Sequence, residues 1–184
     1  MADFFTEIDD SHKKFITAQA MFFVATAPSK GGRVSLSPKG LDSFRVLNPH
    51  QVAYLDITGS GNETAAHTLD NGRITVMFCS FTRNPLILRI YGKGRSIQPG
   101  DGDWPDLYRQ FPAEAGARQI MLIEVESLQT SCGYGVPLYE LASERDTLSR
   151  WADSKTPKEL EAYRQKNNAT SIDGLPTGLK AGVP

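Results

Sequence analysis

Cysteine is scarce: Cys79 and Cys132 are the only two in 184 residues, too few and too far apart for a disulfide framework or a cysteine-rich zinc site. A reducing compartment is the default for such a chain. Neither sign of charge is in excess, since 20 Lys and Arg stand against 21 Asp and Glu for a net charge of −1. That balance excludes a broad basic surface of the kind that grips a nucleic-acid backbone. No run approaches the roughly 20 apolar residues of a membrane-spanning helix. The stretch from Met1 to Ser11 carries Asp3, Glu7, Asp9 and Asp10 in place of a cationic leader. No membrane and a cytoplasmic location are therefore the expectations. His12, His50 and His67 lie far apart with no H-E-x-x-H and no cysteine pair beside them, so no metal site is expected. No G-x-S-x-G surrounds a serine, which leaves a hydrolase without its nucleophile elbow.

What is present suffices for one core: 40% of the residues are hydrophobic and 9% aromatic, in a length that suits a single domain. Phe5, Ile8, His12, Phe15 and Ile16 share a three-and-four spacing, which predicts one amphipathic helix from Phe5 to Ile16. Met21–Ala27 and Arg33–Ser37 read as two strands around the turn Pro28-Ser29-Lys30-Gly31-Gly32. Pro38 cannot donate to a ladder, so Ser37–Gly40 should leave the sheet or run along an open edge. Further strands are expected at Gln51–Ile57, Arg73–Phe81, Leu86–Ile97 and Gln119–Leu128, with Gly92 and Gly94 inviting a bulge. Six strands with few helices between them suggest an antiparallel meander closed as a barrel. Past Leu128 the character changes: Ser131–Pro137 is a glycine-punctuated loop, Ser143–Trp151 and Pro157–Lys166 read as charged helices, and a polar tail rich in Gly and Pro follows. Residues 1–140 are thus read as the barrel and 141–184 as a helical arm and tail of the same domain, too polar to form a core alone.

Two patches can bind an anion. After the strand at Gln51–Ile57, Gly59-Ser60-Gly61-Asn62-Glu63-Thr64 opens a short helix, whose free N–H groups and dipole favour a phosphate. The same residues are accounted for if the glycines shape the turn and Asn62 caps the helix. Gly59-x-Gly61-x-x-Thr64 lacks the third glycine of a dinucleotide fingerprint, and the helix is short for that fold. The second patch is Arg33, Ser35 and Ser37, placed by alternation on one strand face, with Lys39 beyond them. Facing a groove, these residues suit a phosphate or the pyrimidine edge of a flavin; facing water, they make an ordinary solvated strand.

Taken in order, Arg33–Gly40 (RVSLSPKG), Tyr54–His67 (YLDITGSGNETAAH), Arg73–Phe81 (RITVMFCSF) and Leu88-Arg89-Ile90-Tyr91-Gly92 resemble the pyridoxamine 5'-phosphate oxidase-like family of FMN-binding split β-barrels. The likeness runs from about Lys14 to Glu140, and the loop Ser131–Pro137 and Ser171–Pro176 resemble the tail of an uncharacterised branch. The resemblance implies an α+β, mainly β fold: a six-stranded antiparallel split β-barrel with short flanking helices and a helical C-terminal arm. It implies a homodimer with two FMN molecules at the subunit interface, or a deazaflavin in their place. By motif position Arg33, Ser35, Ser37 and Lys39 face the flavin and its phosphate, joined by Asn62 and Thr64.

The chain departs from the vitamin B6 oxidases at two points. Glu63, Thr64 and Ala65 stand where those enzymes carry adjacent basic residues, and their C-terminal Trp/Arg segment has no recognisable counterpart. The expected activity is therefore the broader one, an FMN-dependent oxidoreductase transferring hydride at the flavin. It would take electrons from a small molecule such as NAD(P)H, and no side chain is assigned as acid or base. A non-catalytic carrier of flavin, another phosphorylated cofactor or a tetrapyrrole is the alternative.

Overall fold

Phe22, Val24 and Thr26 are buried while Phe23 and Ala25 are half-buried, the two-residue period of a strand with one face turned to the core. The same logic builds most of the molecule. The computed structural model describes residues 2–182. The N-terminal part runs β1 (Asp3–Phe5), α1 (Asp10–Thr17), β2 (Phe22–Thr26), β3 (Ser35–Lys39), β4 (Phe44–Asn48), β5 (Gln51–Ile57) and α2 (Glu63–Asn71). It continues through β6 (Arg73–Cys79), β7 (Ile87–Ile97), α3 (Trp104–Tyr108), β8 (Ala117–Ser131), α4 (Thr147–Asp153) and α5 (Pro157–Asn167). Every strand pairing is antiparallel, and the order across the sheet is β3-β2-β6-β7-β8-β5-β4, with β1 added on β8.

The sheet therefore has eight strands where six are expected, and its end strands β3 and β4 do not pair with each other. The two additional strands are β1 and β4. β1 has three residues, too few to display a period, and it forms only because Asp3–Phe5 meets Leu128–Thr130 of β8 from the far end of the chain. β4 is partly buried from residue 44 to 47 rather than alternating, with Asn48 exposed at its end, so its pattern is blurred. β1 also corrects the expected first helix. Phe5 belongs to the strand, and α1 starts at Asp10, capped by Asp9, whose carboxylate accepts the His12 N–H at 2.8 Å. The stripe of Phe5, Ile8 and Ile16 holds because strand and helix both pack on the same core.

Pro38 lies on β3, the outer strand of the β2–β3 hairpin, where its missing N–H costs no ladder bond. Gly92 marks the expected irregularity: the β7–β8 register shifts between Tyr91 and Gly92. A Cβ there would overlap the Glu124 carbonyl. The main core gathers Val24, Tyr54, Phe78, Leu88, Ile90 and Ile123 inside the curved sheet. A smaller one, with Leu55, Ile97 and Ile120, lies under α3. Each such side chain contributes about 1.5–3 kcal/mol on leaving water.

The arm returns to the barrel. Ala152 of α4 is buried against Gly116, and Arg164 of α5 donates to Thr58 Oγ1 at 2.8 Å and to the Ala117 carbonyl at 3.0 Å. Beyond α5, a bridge between Thr170 and Pro176 closes a small turn that crosses the mouth of α2.

Candidate functional site

β5 carries one charged residue into the interior, and a polar cluster assembles around it. Asp56 follows Val52-Ala53-Tyr54-Leu55 in a buried run and is itself 2% exposed. Burial alone would raise its pKa. Lys39 and Arg118 overcome that and hold the carboxyl well below the ordinary carboxylate range. Lys39 Nζ, from the end of β3, lies 2.6 Å from Asp56 Oδ1, and Arg118, 4% exposed near the start of β8, donates to Oδ2 at 2.6 Å. Gln119 then links carboxylate to helix tip, its Nε2 donating to Asp56 Oδ2 at 2.8 Å and to Asn62 Oδ1 at 2.7 Å. Arg118 also donates to the Gly61 carbonyl at 2.9 Å. Two cations thus share one carboxylate, which leaves an excess of positive charge where the end of β3 meets β5.

This network brings Lys39 and Asn62 together through two intervening side chains. Asn62 precedes α2 but makes no side-chain cap bond. It is buried, and its amide is spent on Gln119 and on the Asn168 carbonyl, to which Nδ2 donates at 3.3 Å. Thr64, the second residue of α2, is buried on the side of Tyr54. The α2 tip presents Glu63 outward, and its carboxylate accepts the Ile172 N–H from the C-terminal turn at 3.0 and 3.2 Å.

The other four expected residues line the outer hairpin. Ser35 and Ser37 are half-buried on β3, opposite Thr26 and Val24, and their hydroxyls make no hydrogen bond among the described residues. Arg33 precedes the strand. Its N–H donates to Asp173 Oδ2 at 2.7 Å and its guanidinium pairs with Oδ1 of the same carboxylate. Because Asp173 and Ile172 are adjacent, one turn of chain joins Arg33 to the first turn of α2. The two patches therefore converge, with the chain's own tail between them. A cavity of about 560 Å³ opens elsewhere, over the face of α2 that bears Ala65 and Leu69, with Arg95 and Lys180 on its walls; none of the six residues lines it.

An FMN demands donors for its ring edge and cations for its phosphate. The β3 side fits: two unpartnered hydroxyls stand between two cations, Arg33 and Lys39, each reached by solvent. The α2 tip offers less, since Asn62 and Thr64 are buried and Glu63 puts a carboxylate where an anion would approach. Asp56, Arg118, Gln119 and Asp173 escape a reading of the sequence. Asp56 has a visible signal, a lone acid in an apolar strand. Asp173 has none, because its partner Arg33 is 140 residues away.

The sequence profile of the pyridoxamine 5'-phosphate oxidase family matches residues 8–132. A pyridoxamine 5'-phosphate oxidase family protein of Aspergillus flavus, ustO, is 37% identical over 200 positions, which span all of this chain and 80% of that one. HupZ of Group A Streptococcus superposes with a TM-score of 0.53 at 23% identity, covering 66% of this chain and 91% of its own. A putative pyridoxamine 5'-phosphate oxidase of Lactobacillus delbrueckii gives 0.54 at 16% identity, covering 67% and 94%. These two structures share the fold. With the profile covering residues 8–132 and the relative matching along the whole of this chain, the chain belongs to the pyridoxamine 5'-phosphate oxidase family.

Proposed function

We propose that this protein binds FMN against the β3 face of a six-stranded split-barrel core within its eight-stranded sheet and acts as a flavin-dependent oxidoreductase. When bound, the flavin supplies hydride transfer at N5. Family membership supports the cofactor class, and the arrangement behind β3 carries the function. Ser35 and Ser37 offer free hydroxyls to a ring edge, and Arg33 offers charge to a phosphate. Lys39 and Arg118 outnumber Asp56, so positive charge sits where a reduced, anionic ring gains most from a fixed field. Asn62, tied to Asp56 through Gln119, and Thr64 beside it on α2 complete the proposed cofactor site.

The partner is a second copy of the chain. β3 pairs on one side only, and Val34 and Leu36 on the face opposite the serines are 73% and 63% exposed. An open edge flanked by exposed apolar side chains invites a second protomer, and the flavin is proposed to lie at that subunit boundary. A small molecule such as NAD(P)H is the electron donor, in the cytoplasm.

One observation favours a second reading, a carrier of flavin, another phosphorylated cofactor or a tetrapyrrole without turnover. Asp56, the carboxylate of the cluster, is held ionised by two cations, so it has no proton to give and little basicity to take one. Hydride transfer does not require such a group, and the oxidoreductase reading stands ahead.

The absorption spectrum of the purified protein, with the extracted chromophore identified by mass, tests the cofactor and separates FMN from a deazaflavin. A colourless protein with no FMN uptake on titration defeats the proposal. Anaerobic mixing with NADH or NADPH then separates enzyme from carrier: bleaching of the flavin supports the first, and an inert flavin the second.

A further inference from the structure

The C-terminal turn from Ser171 to Pro176 is prebuilt and aimed. Ser171 N–H donates to the Leu175 carbonyl at 2.8 Å, Gly174 N–H to the Ser171 carbonyl at 3.0 Å, and Leu175 N–H to Ser171 Oγ at 3.0 Å. Gly174 takes φ +80°, a conformation other residues rarely adopt. The base of the turn is fixed in the interior. Asn168 is buried, its Nδ2 donating to the Gly59 carbonyl at 3.0 Å, and buried Thr177 donates to the Asn168 carbonyl at 2.7 Å. The tip is different: Ile172 is exposed, and the tip is held to the barrel by two carboxylate contacts, Glu63 on the Ile172 N–H and Asp173 on Arg33.

Asp173 makes on Arg33 the contacts an anionic ligand would make, to a main-chain N–H and to the guanidinium together. The seat is shaped for it. Gly32 has φ +77°, and a Cβ at that position would lie 3.0 Å from Asp173 Oδ2 and 2.7 Å from Pro28 Cγ. The absent side chain leaves room for an oxyanion against the loop. The hydrogen bond from Arg33 N–H, ahead of the charge on its guanidinium, holds the Asp173 carboxyl below its ordinary range, so it remains an anion at neutral pH.

We infer that Asp173 is a resident anion, occupying on Arg33 the seat of a ligand phosphate, and that the tip Ile172–Gly174 lifts from the barrel when a phosphorylated ligand binds. This rests on the reading above that Arg33 receives the flavin phosphate. The tip is then a gate that selects for a phosphate: a ligand without one has nothing to exchange for the Asp173 carboxylate.

Titration of the cofactor-free full-length protein with FMN and with riboflavin, followed by quenching of flavin fluorescence, tests the gate. Asp173→Asn should tighten FMN by about fivefold, the scale of an exposed ion pair, and leave riboflavin unchanged. Arg33→Ala should bring FMN down to the affinity of riboflavin. In the unaltered protein FMN, and not riboflavin, should speed amide exchange at Ile172 and Gly174. Unchanged or weaker FMN binding in Asp173→Asn, or slower exchange at the tip, overturns the gate. Uptake of neither flavin defeats the functional reading instead. Inorganic phosphate then judges the gate alone: it should shift the Arg33 Nε resonance at lower concentration in Asp173→Asn, and coincident curves overturn it.

Discussion

Two carboxylates in this molecule each hold a cation from the β2–β3 hairpin and its strand end, and they do so in opposite surroundings. Asp56 holds Lys39 from inside the barrel, with Arg118 and Gln119 completing its shell. Asp173 holds Arg33 from the tip of an exposed turn, where the guanidinium stays largely in water. Pairing is equally close, yet the consequences differ because the alternative to pairing differs. Released from Asp173, Arg33 is hydrated. Released from Asp56, Arg118 is a charge without a partner in a medium that cannot solvate it. The inner pair is therefore architecture and the outer one is exchangeable, and a binding site needs both: a fixed field behind the strand and a cation in front of it that can change partners.

Breaking the inner pair has the largest expected effect. Asp56→Asn leaves Lys39 and Arg118 uncompensated and should cost about 3–5 kcal/mol in urea unfolding. Replacing Arg118 by methionine as well should cost less than the two single changes added together, because the second removes the charge the first stranded. The pH dependence has a fixed sign. The folded Asp56 pKa is depressed, so its stabilisation is fully present above the unfolded value of about 3.9 and drains away as pH falls toward the folded one. An unfolding midpoint flat from pH 5 to 8 and falling below about 4 is the expected profile for this group; loss of stability on the alkaline side of neutrality would contradict it.

Gln119 sharpens the same side of the comparison at smaller scale. Gln119→Leu leaves Asn62 Oδ1 and one face of Asp56 short of a donor, and the Ser96 hydroxyl, which donates to Gln119 Oε1 at 2.8 Å, loses its acceptor. An unfolding cost of about 1–3 kcal/mol is expected, without loss of fold.

How much of this was legible in the sequence depends on whether the information was local. The strands from Gln51–Ile57 to Arg73–Cys79 declare themselves by composition and their bounding glycines, and Pro38 announces an edge. Phe5 misleads, because a helical spacing and a strand-then-helix packing on one core place the same residues inward. Asn62 misleads differently: its type suits a cap, but the interior competes for its amide and wins through Gln119 and Asn168. Asp173 and Arg33 meet only through tertiary folding, so neither one's neighbours in sequence predict the pair.

The serine face of β3 answers to ligand rather than to stability. Ser35→Ala with Ser37→Ala removes two hydroxyls that bond nothing within the described chain, so the unfolding midpoint should stay in place. FMN affinity, read by fluorescence quenching, should fall about tenfold, as two hydrogen bonds of roughly 0.5–1.5 kcal/mol each imply. A fall in stability without a fall in affinity would mean that the serines serve the fold and that the ring lies elsewhere.

Salt produces the smallest effect and separates the two pairs without changing a residue. At 1 M ionic strength the Debye length shrinks to about 3 Å, which weakens an ion pair bathed in solvent and leaves one sealed by protein nearly untouched. Amide exchange should therefore quicken at Ile172, whose N–H rests on the exposed Glu63 contact beside Asp173, and stay constant at Leu55 and Gln119 around Asp56. The shift at the tip should amount to a few-fold, the scale of a single surface pair. Equal acceleration at both places would mean that the inner cluster is open to water, and the distinction between a fixed charge behind β3 and an exchangeable one before it would collapse.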